Sequence, residues 1–122
     1  MPVSHAFDGR IVVIKMDGDY TTAELKAGVL AALDDATCPA DAVLMFDMRT
    51  SAAIKGRTPA EVQDMANFLA TQGPRFSKRL AMVTGTDVAF GLMRLGSVYA
   101  ERGGLFSEVF REIEEAKKWL VP

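Results

Sequence analysis

The stretch "AVLMFDMRTS", Ala42 to Ser51, decides the fold. Side chains alternate between the two faces of a strand. Val43 and Met45 therefore fall on one face, and Leu44, Phe46 and Met48 on the other. Both sets are apolar, which is the pattern of a central strand covered on both sides. The polarity changes at its carboxyl end, where Asp47, Arg49, Thr50 and Ser51 appear. In open α/β sheets ligands bind at the carboxyl ends of strands. These four residues are the first candidate group for holding a ligand or partner.

Working outward, strand and helix patterns alternate along the chain. "RIVVIKMD" (residues 10–17) is short and β-branched, and reads as a strand. Asp8-Gly9 is a favoured two-residue hairpin turn, so "SHAF" before it is expected to form a further short strand. Thr21 with Glu24 has the spacing of a capping box, and Leu25, Val29, Leu33 and Ala36 then recur at helical spacing. Thr58, Pro59 and Glu61 start a second helix in the same way, with Val62, Met65, Ala66 and Leu69 as its inward stripe. "RLAMVT" is the next strand. A third helix runs from about Thr86 to Glu101, with Val88, Leu92, Leu95 and Tyr99 assigned inward. "LFSEVF" is a last strand, and "REIEEAKKWL" a last helix with Ile113, Ala116, Trp119 and Leu120 inward and a Glu114–Lys118 pair outward.

The expected order is (β)βαβαβαβα, an α/β fold with one mixed, mostly parallel sheet of four or five strands. Right-handed crossovers between strands added in one direction place the crossover helices on one face. The opposite face then needs a cover of its own, and a dimer interface or a hydrophobic ligand surface is expected there. The whole of residues 1–122 is expected to be a single domain.

Composition narrows the function classes. The chain has 122 residues, 49% of them apolar and 25% charged, which is ordinary globular usage. Fourteen basic residues face sixteen acidic ones, so the clustered basic excess of a nucleic-acid binder is missing. No stretch approaches the ~18 consecutive apolar residues of a membrane span. "MPVSHAFDGR" lacks the basic and apolar segments of a signal peptide. Cys38 is the single cysteine, which fits a reducing compartment, and a cytoplasmic location is expected.

The strand end "FDMR", the helix start "GRTP", the segment "RLAMVTGTDVAFGLMR" and the closing "VFREIEEAKKWL" together resemble the STAS-like superfamily. These are small domains similar to anti-sigma-factor antagonists of the stage II sporulation protein AA type. The likeness is above all to the uncharacterised branch, which has a fold relationship with CRAL-TRIO lipid carriers. The resemblance implies a STAS-like α/β fold and a regulatory or binding role without catalysis. It also implies a phosphorylation switch on a hydroxyl at the start of the second helix, within an Asp-Ser-Ser/Thr-Gly type motif. Here that position reads "KGRTP", without the Asp-Ser element, and Thr58 is its only hydroxyl. Thr58, and after it Ser51, are the candidate phosphoacceptors. Thr58 equally reads as a plain N-cap.

A second strand-to-helix turn, Thr84-Gly85-Thr86-Asp87, adds Thr84, Thr86 and Asp87 to the candidate group, and Arg94 follows on the next helix. No Gly-Lys-Ser/Thr follows, so the turn is not a P-loop. Arg49, Arg57, Arg75, Arg79 and Arg94 read either as a converging basic site or as solvated faces. Met45, Met48, Met65, Met82 and Met93 read either as core filling or as the wall of an adaptable apolar pocket. With His5 the sole histidine, no Ser-His-Asp set or zinc site of usual ligand types is formed. No catalytic residue, metal or cofactor is therefore expected. The expected function is binding, of a regulatory protein or a small lipid-like molecule, by a homodimer. The alternatives are a phosphorylation-switched antagonist and an enzyme built at the strand carboxyl ends.

Overall fold

The computed structural model describes residues 2–122. Five strands form one sheet in the order β1-β2-β3-β4-β5: β1 (Val3–Asp8), β2 (Ile11–Gly18), β3 (Val43–Ser51), β4 (Arg79–Thr84) and β5 (Phe106–Phe110). β1 and β2 form the expected antiparallel hairpin, but Asp8 still pairs with Ile11, so the two-residue turn is Gly9-Arg10 and not Asp8-Gly9, with Gly9 at φ 58°. β2, β3, β4 and β5 run parallel to one another. The crossovers are α1 (Thr22–Asp34), α2 (Pro59–Gln72) and α3 (Asp87–Arg102), and α4 (Ile113–Leu120) ends the chain. The sheet is thus mixed and mostly parallel, as the sequence predicts.

β3 lies at the centre and is buried on both sides. Leu44, Phe46 and Met48 join Ile14, Met16, Leu80 and Met82 under the three crossover helices. Val43 and Met45 join Ile11, Ala81 and Val83 on the other face, beneath Ala116 and Leu120 of α4. This corrects the expectation for that second face: α4 folds back over it and supplies, from within the chain, the cover expected from a second copy or an apolar ligand. Ala116 is fully buried, which lets α4 lie close to the sheet while Trp119 packs on Phe110 with ring centroids 5.9 Å apart. Arg79 lies over the Trp119 ring at 4.2 Å and donates to the Trp119 carbonyl, satisfying the carboxyl end of α4. Lys117 ties the helix to the hairpin through Asp8 at 2.8 Å. Lys117, not Lys118, is also the residue nearest Glu114, at 4.0 Å.

Two helices differ in detail from the sequence-based expectation. α1 stops at Asp34 rather than carrying Ala36 inward. The Asp35 carboxylate accepts both the Thr37 N–H at 2.9 Å and its hydroxyl at 2.7 Å, a local turn that competes with helix. α3 turns a different face inward: Ala89, Met93, Gly96 and Ala100 are buried, while Leu92, Leu95 and Tyr99 sit half-buried at its flanks. Val88 is 65% exposed. Small residues win the inward position because α3 approaches α2 closely; a Cβ added at Gly96 would stand 3.2 Å from Val62.

Gly85, in the β4–α3 turn, is set against the backbone of β3. A Cβ there would lie 2.4 Å from the Arg49 carbonyl oxygen, a contact no side-chain rotation relieves. Gly85→Ala is predicted to lower unfolding stability by about 1–3 kcal/mol, the usual range for overpacking. Urea unfolding with an unchanged midpoint would show that this turn does not hold the strand end.

Candidate functional site

The side chains at the carboxyl ends of β3 and β4 are divided between the two faces of the sheet. Asp47 pairs in register with Val83 and faces α4, whereas Met48 pairs with Thr84 on the side of the crossover helices. On the α4 side Asp47 is buried and holds Arg49 in a two-point ion pair, Nε to Oδ1 and Nη2 to Oδ2, both 3.0 Å. Burial pushes the Asp47 carboxyl up, but hydrogen bonds from the Arg49 side chain and backbone outweigh it and leave it below the ordinary carboxylate range. Thr50 is exposed at the end of the strand. Ser51 turns to Tyr20 and bonds its hydroxyl at 2.8 Å.

The remaining strand-end candidates have contacts within the chain. Thr84 is fully buried and reaches the Phe110 carbonyl at 3.4 Å. Thr86 caps α3 by accepting the Ala89 N–H at 3.1 Å. Asp87 pairs with Arg111 at 2.6 Å, tying the start of α3 to the end of β5. Arg94 is exposed and lies 6.0 Å from the Phe90 ring. The five arginines singled out in the sequence do not converge. Arg49 engages Asp47, Arg57 Glu61, Arg75 Asp34, Arg79 Trp119 and Arg94 Phe90.

A different site emerges between the sheet and the crossover helices. A cavity of about 60 Å³ lies under α2 and α3, walled by Met48, Met65, Met82 and Met93 together with Leu25 and Leu69. Four of the five methionines singled out in the sequence thus meet at one place, while Met45 is on the opposite face. The cavity opens outward between the starts of α1 and α2. Both starts carry the reciprocal capping box that their sequences predict, Thr21 with Glu24 and Thr58 with Glu61. The residues just before the two caps, Tyr20 and Arg57, meet across the opening. The Arg57 guanidinium lies 5.3 Å from the Tyr20 ring, donates to the Tyr20 carbonyl and stands 3.7 Å from Glu61. Burial raises the pKa of the Tyr20 hydroxyl, against the lowering effects of its Ser51 bond and of Arg57. Tyr20 is no candidate by sequence, and Arg57 is one arginine of five. Each stands just before a capping box, but that local pattern does not record that the two meet.

Among the described residues, no group of three or more His, Cys, Asp or Glu side chains is placed to hold a metal ion. Nor is any helix among them long and apolar enough to cross a membrane. Cys38 lies apart from the cavity, and burial pushes its thiol up, away from the thiolate.

No protein-family model and no curated protein matches this sequence. The structure is similar to the crystal structure of an uncharacterised DUF3478-family protein with a SpoIIAA-like fold from Shewanella loihica PV-4. The TM-score is 0.63 over 97% of this chain and 91% of that one, at 15% identity. The fold of this chain is therefore SpoIIAA-like, in agreement with the resemblance found in its sequence.

The Asp47–Arg49 pair generates a prediction about stability. Because the folded pKa of Asp47 is lowered, its contribution is complete above the ordinary carboxylate range, about pH 4, and is lost as pH falls through the folded value. Asp47→Asn is expected to cost about 1–2 kcal/mol at pH 7, discounted because the Arg49 side chain is 50% exposed. The gap between wild type and variant should close as urea unfolding is moved to pH 3 and below. A gap that stayed constant across that range would remove the ion pair as its cause.

Proposed function

We propose that this protein acts by holding a small apolar or amphipathic molecule between its sheet and the helices α1, α2 and α3. The observation that carries the reading is the methionine-walled cavity under α2 and α3 with its polar opening at Tyr20 and Arg57. Buried apolar space closed by a few oriented polar groups is the usual form of a small-molecule site. At about 60 Å³ the space is well below the roughly 300–1,000 Å³ of pockets for drug-sized ligands. A ligand of a few carbons fits this scale, and longer tails enter as the flexible methionine side chains turn aside.

The phosphorylation reading is weaker on chemical grounds. Thr58 Oγ already accepts the Glu61 N–H at 3.2 Å, and the Glu61 carboxylate accepts the Thr58 N–H at 2.9 Å. A phosphate on Thr58 would displace the first bond and set its charge against Glu61, a repulsive arrangement. The enzyme reading needs Asp47, Arg49, Thr50 and Asp87 to act together. Asp47 and Arg49 are committed to each other, and Asp87 to Arg111.

The test is a titration of the full chain, labelled at the methionine methyl groups with carbon-13, with 1-hexanol followed by NMR. About five buried methylenes at ~0.8 kcal/mol each correspond to a dissociation constant of about 1 mM. The Met65 and Met93 methyl resonances are expected to shift saturably, and that of Met45 to stay in place. Resonances that remain fixed, or that move equally on both faces of the sheet, would refute the cavity as a binding site.

A further inference from the structure

Beside the methionine-walled cavity lies a polar vestibule that shares Tyr20, Thr22, Arg57 and Glu61 with its lining, and the charges there identify the ligand more narrowly. We propose that its occupant is an amphipathic cation, with a short apolar tail among the methionines and an amine or guanidinium head in the vestibule. This rests on the binding reading above and specifies its ligand.

The vestibule is lined by Asp19, Tyr20, Thr21, Glu24, Arg57 and Glu61, with Thr22 at the boundary it shares with the cavity. Three carboxylates therefore face one guanidinium. Glu61 already balances Arg57 at 3.7 Å, so Asp19 and Glu24 leave two negative charges without a basic side chain in the lining. Glu24 and Glu61 each place Oε1 on a capping backbone N–H, which fixes the carboxylates and leaves each Oε2 free of that bond. Hydrogen bonds from Thr58 keep Glu61 ionised, below its ordinary range despite some opposing desolvation. An anionic head would enter against this surplus, and a neutral one would leave it unmatched.

Arg57 points to the same head group independently. Its guanidinium sits on an aromatic face, donates to a backbone carbonyl and faces a carboxylate. Those are the acceptors by which proteins hold organic cations. Tyr20 supplies the face and the carbonyl, Glu61 the carboxylate, and both residues line the vestibule and the cavity. Arg57 thus occupies the place of a ligand head, and an incoming cation competes with it for the same groups.

The experiment titrates the full, methionine-labelled chain at low ionic strength with three probes that share one tail: hexylammonium, 1-hexanol and hexanoate. Hexylammonium is expected to bind tightest, by about tenfold or more over hexanoate, as unlike and like charges near the carboxylates require. Glu61→Gln keeps the capping box, since glutamine serves at that position. It should weaken hexylammonium about threefold or more relative to hexanol, as a lost charge near the head group requires. Arg57→Ala should raise the affinity of hexylammonium relative to hexanol. Hexanoate binding as tightly as hexylammonium, or Glu61→Gln and Asp19→Asn both leaving hexylammonium unaffected, would overturn the head-group assignment. If hexanol binds and the three probes are equal, the assignment fails while the binding reading stands. If no probe moves the Met65 and Met93 resonances, both fail.

Discussion

The structure depends on β3 being apolar on both faces. A strand with Leu44, Phe46 and Met48 on one side and Val43 and Met45 on the other is stable only between two covering layers. The crossover helices form one layer because strands added in a single direction bring every right-handed crossover to the same side. Nothing in that rule covers the other side. α4 does so, through a close approach at Ala116 and two clamps in its last turn, Lys117 to Asp8 and Arg79 to Trp119. The chain thereby answers within itself a demand that its parallel core creates.

The two layers are packed differently, and that difference places the cleft. α4 presses small and aromatic side chains directly on the sheet. On the other side α3 presents Ala89, Gly96 and Ala100, which bring its backbone near α2 but do not fill the space below. Methionines from the sheet and both helices border what remains. Unbranched and mobile side chains are suited to a wall that must change shape. The opening falls between the starts of α1 and α2 because both helices begin at the same edge of the parallel sheet. Their capping boxes then bring fixed carboxylates to that opening.

Much of this architecture is legible in the amino-acid sequence. Both capping boxes, Thr21 with Glu24 and Thr58 with Glu61, stand where their spacing puts them, because a cap is a local interaction over three residues. The two-sided strand and the alternating order are legible for the same reason. The inward face of α3 is not. Val88, Leu92, Leu95 and Tyr99 have the right spacing, but tight packing on α2 favours the small residues one position further on. Asp47 and Arg49 are legible as a polar strand end, yet their mutual pairing depends on both projecting to the α4 side. The meeting of Tyr20 and Arg57, 37 residues apart, is set by how α1 and α2 lie side by side, and no local pattern records it.

The perturbed ionisable groups bear on which hydrogen-bonding form each side chain keeps. Groups that do acid–base work have pKa values moved toward the working pH. In this protein the movements run the other way. Hydrogen bonds hold Asp35, Asp47 and Glu61 below the ordinary range, so these carboxylates stay ionised and serve as acceptors. Burial raises Cys38 and Tyr20, so the thiol and the phenol keep their protons. Each such group becomes more fixed in the form it already has at neutral pH. Such groups can orient a charged or polar visitor without changing it, and at the vestibule that is the task the arrangement of Tyr20, Arg57 and Glu61 supports.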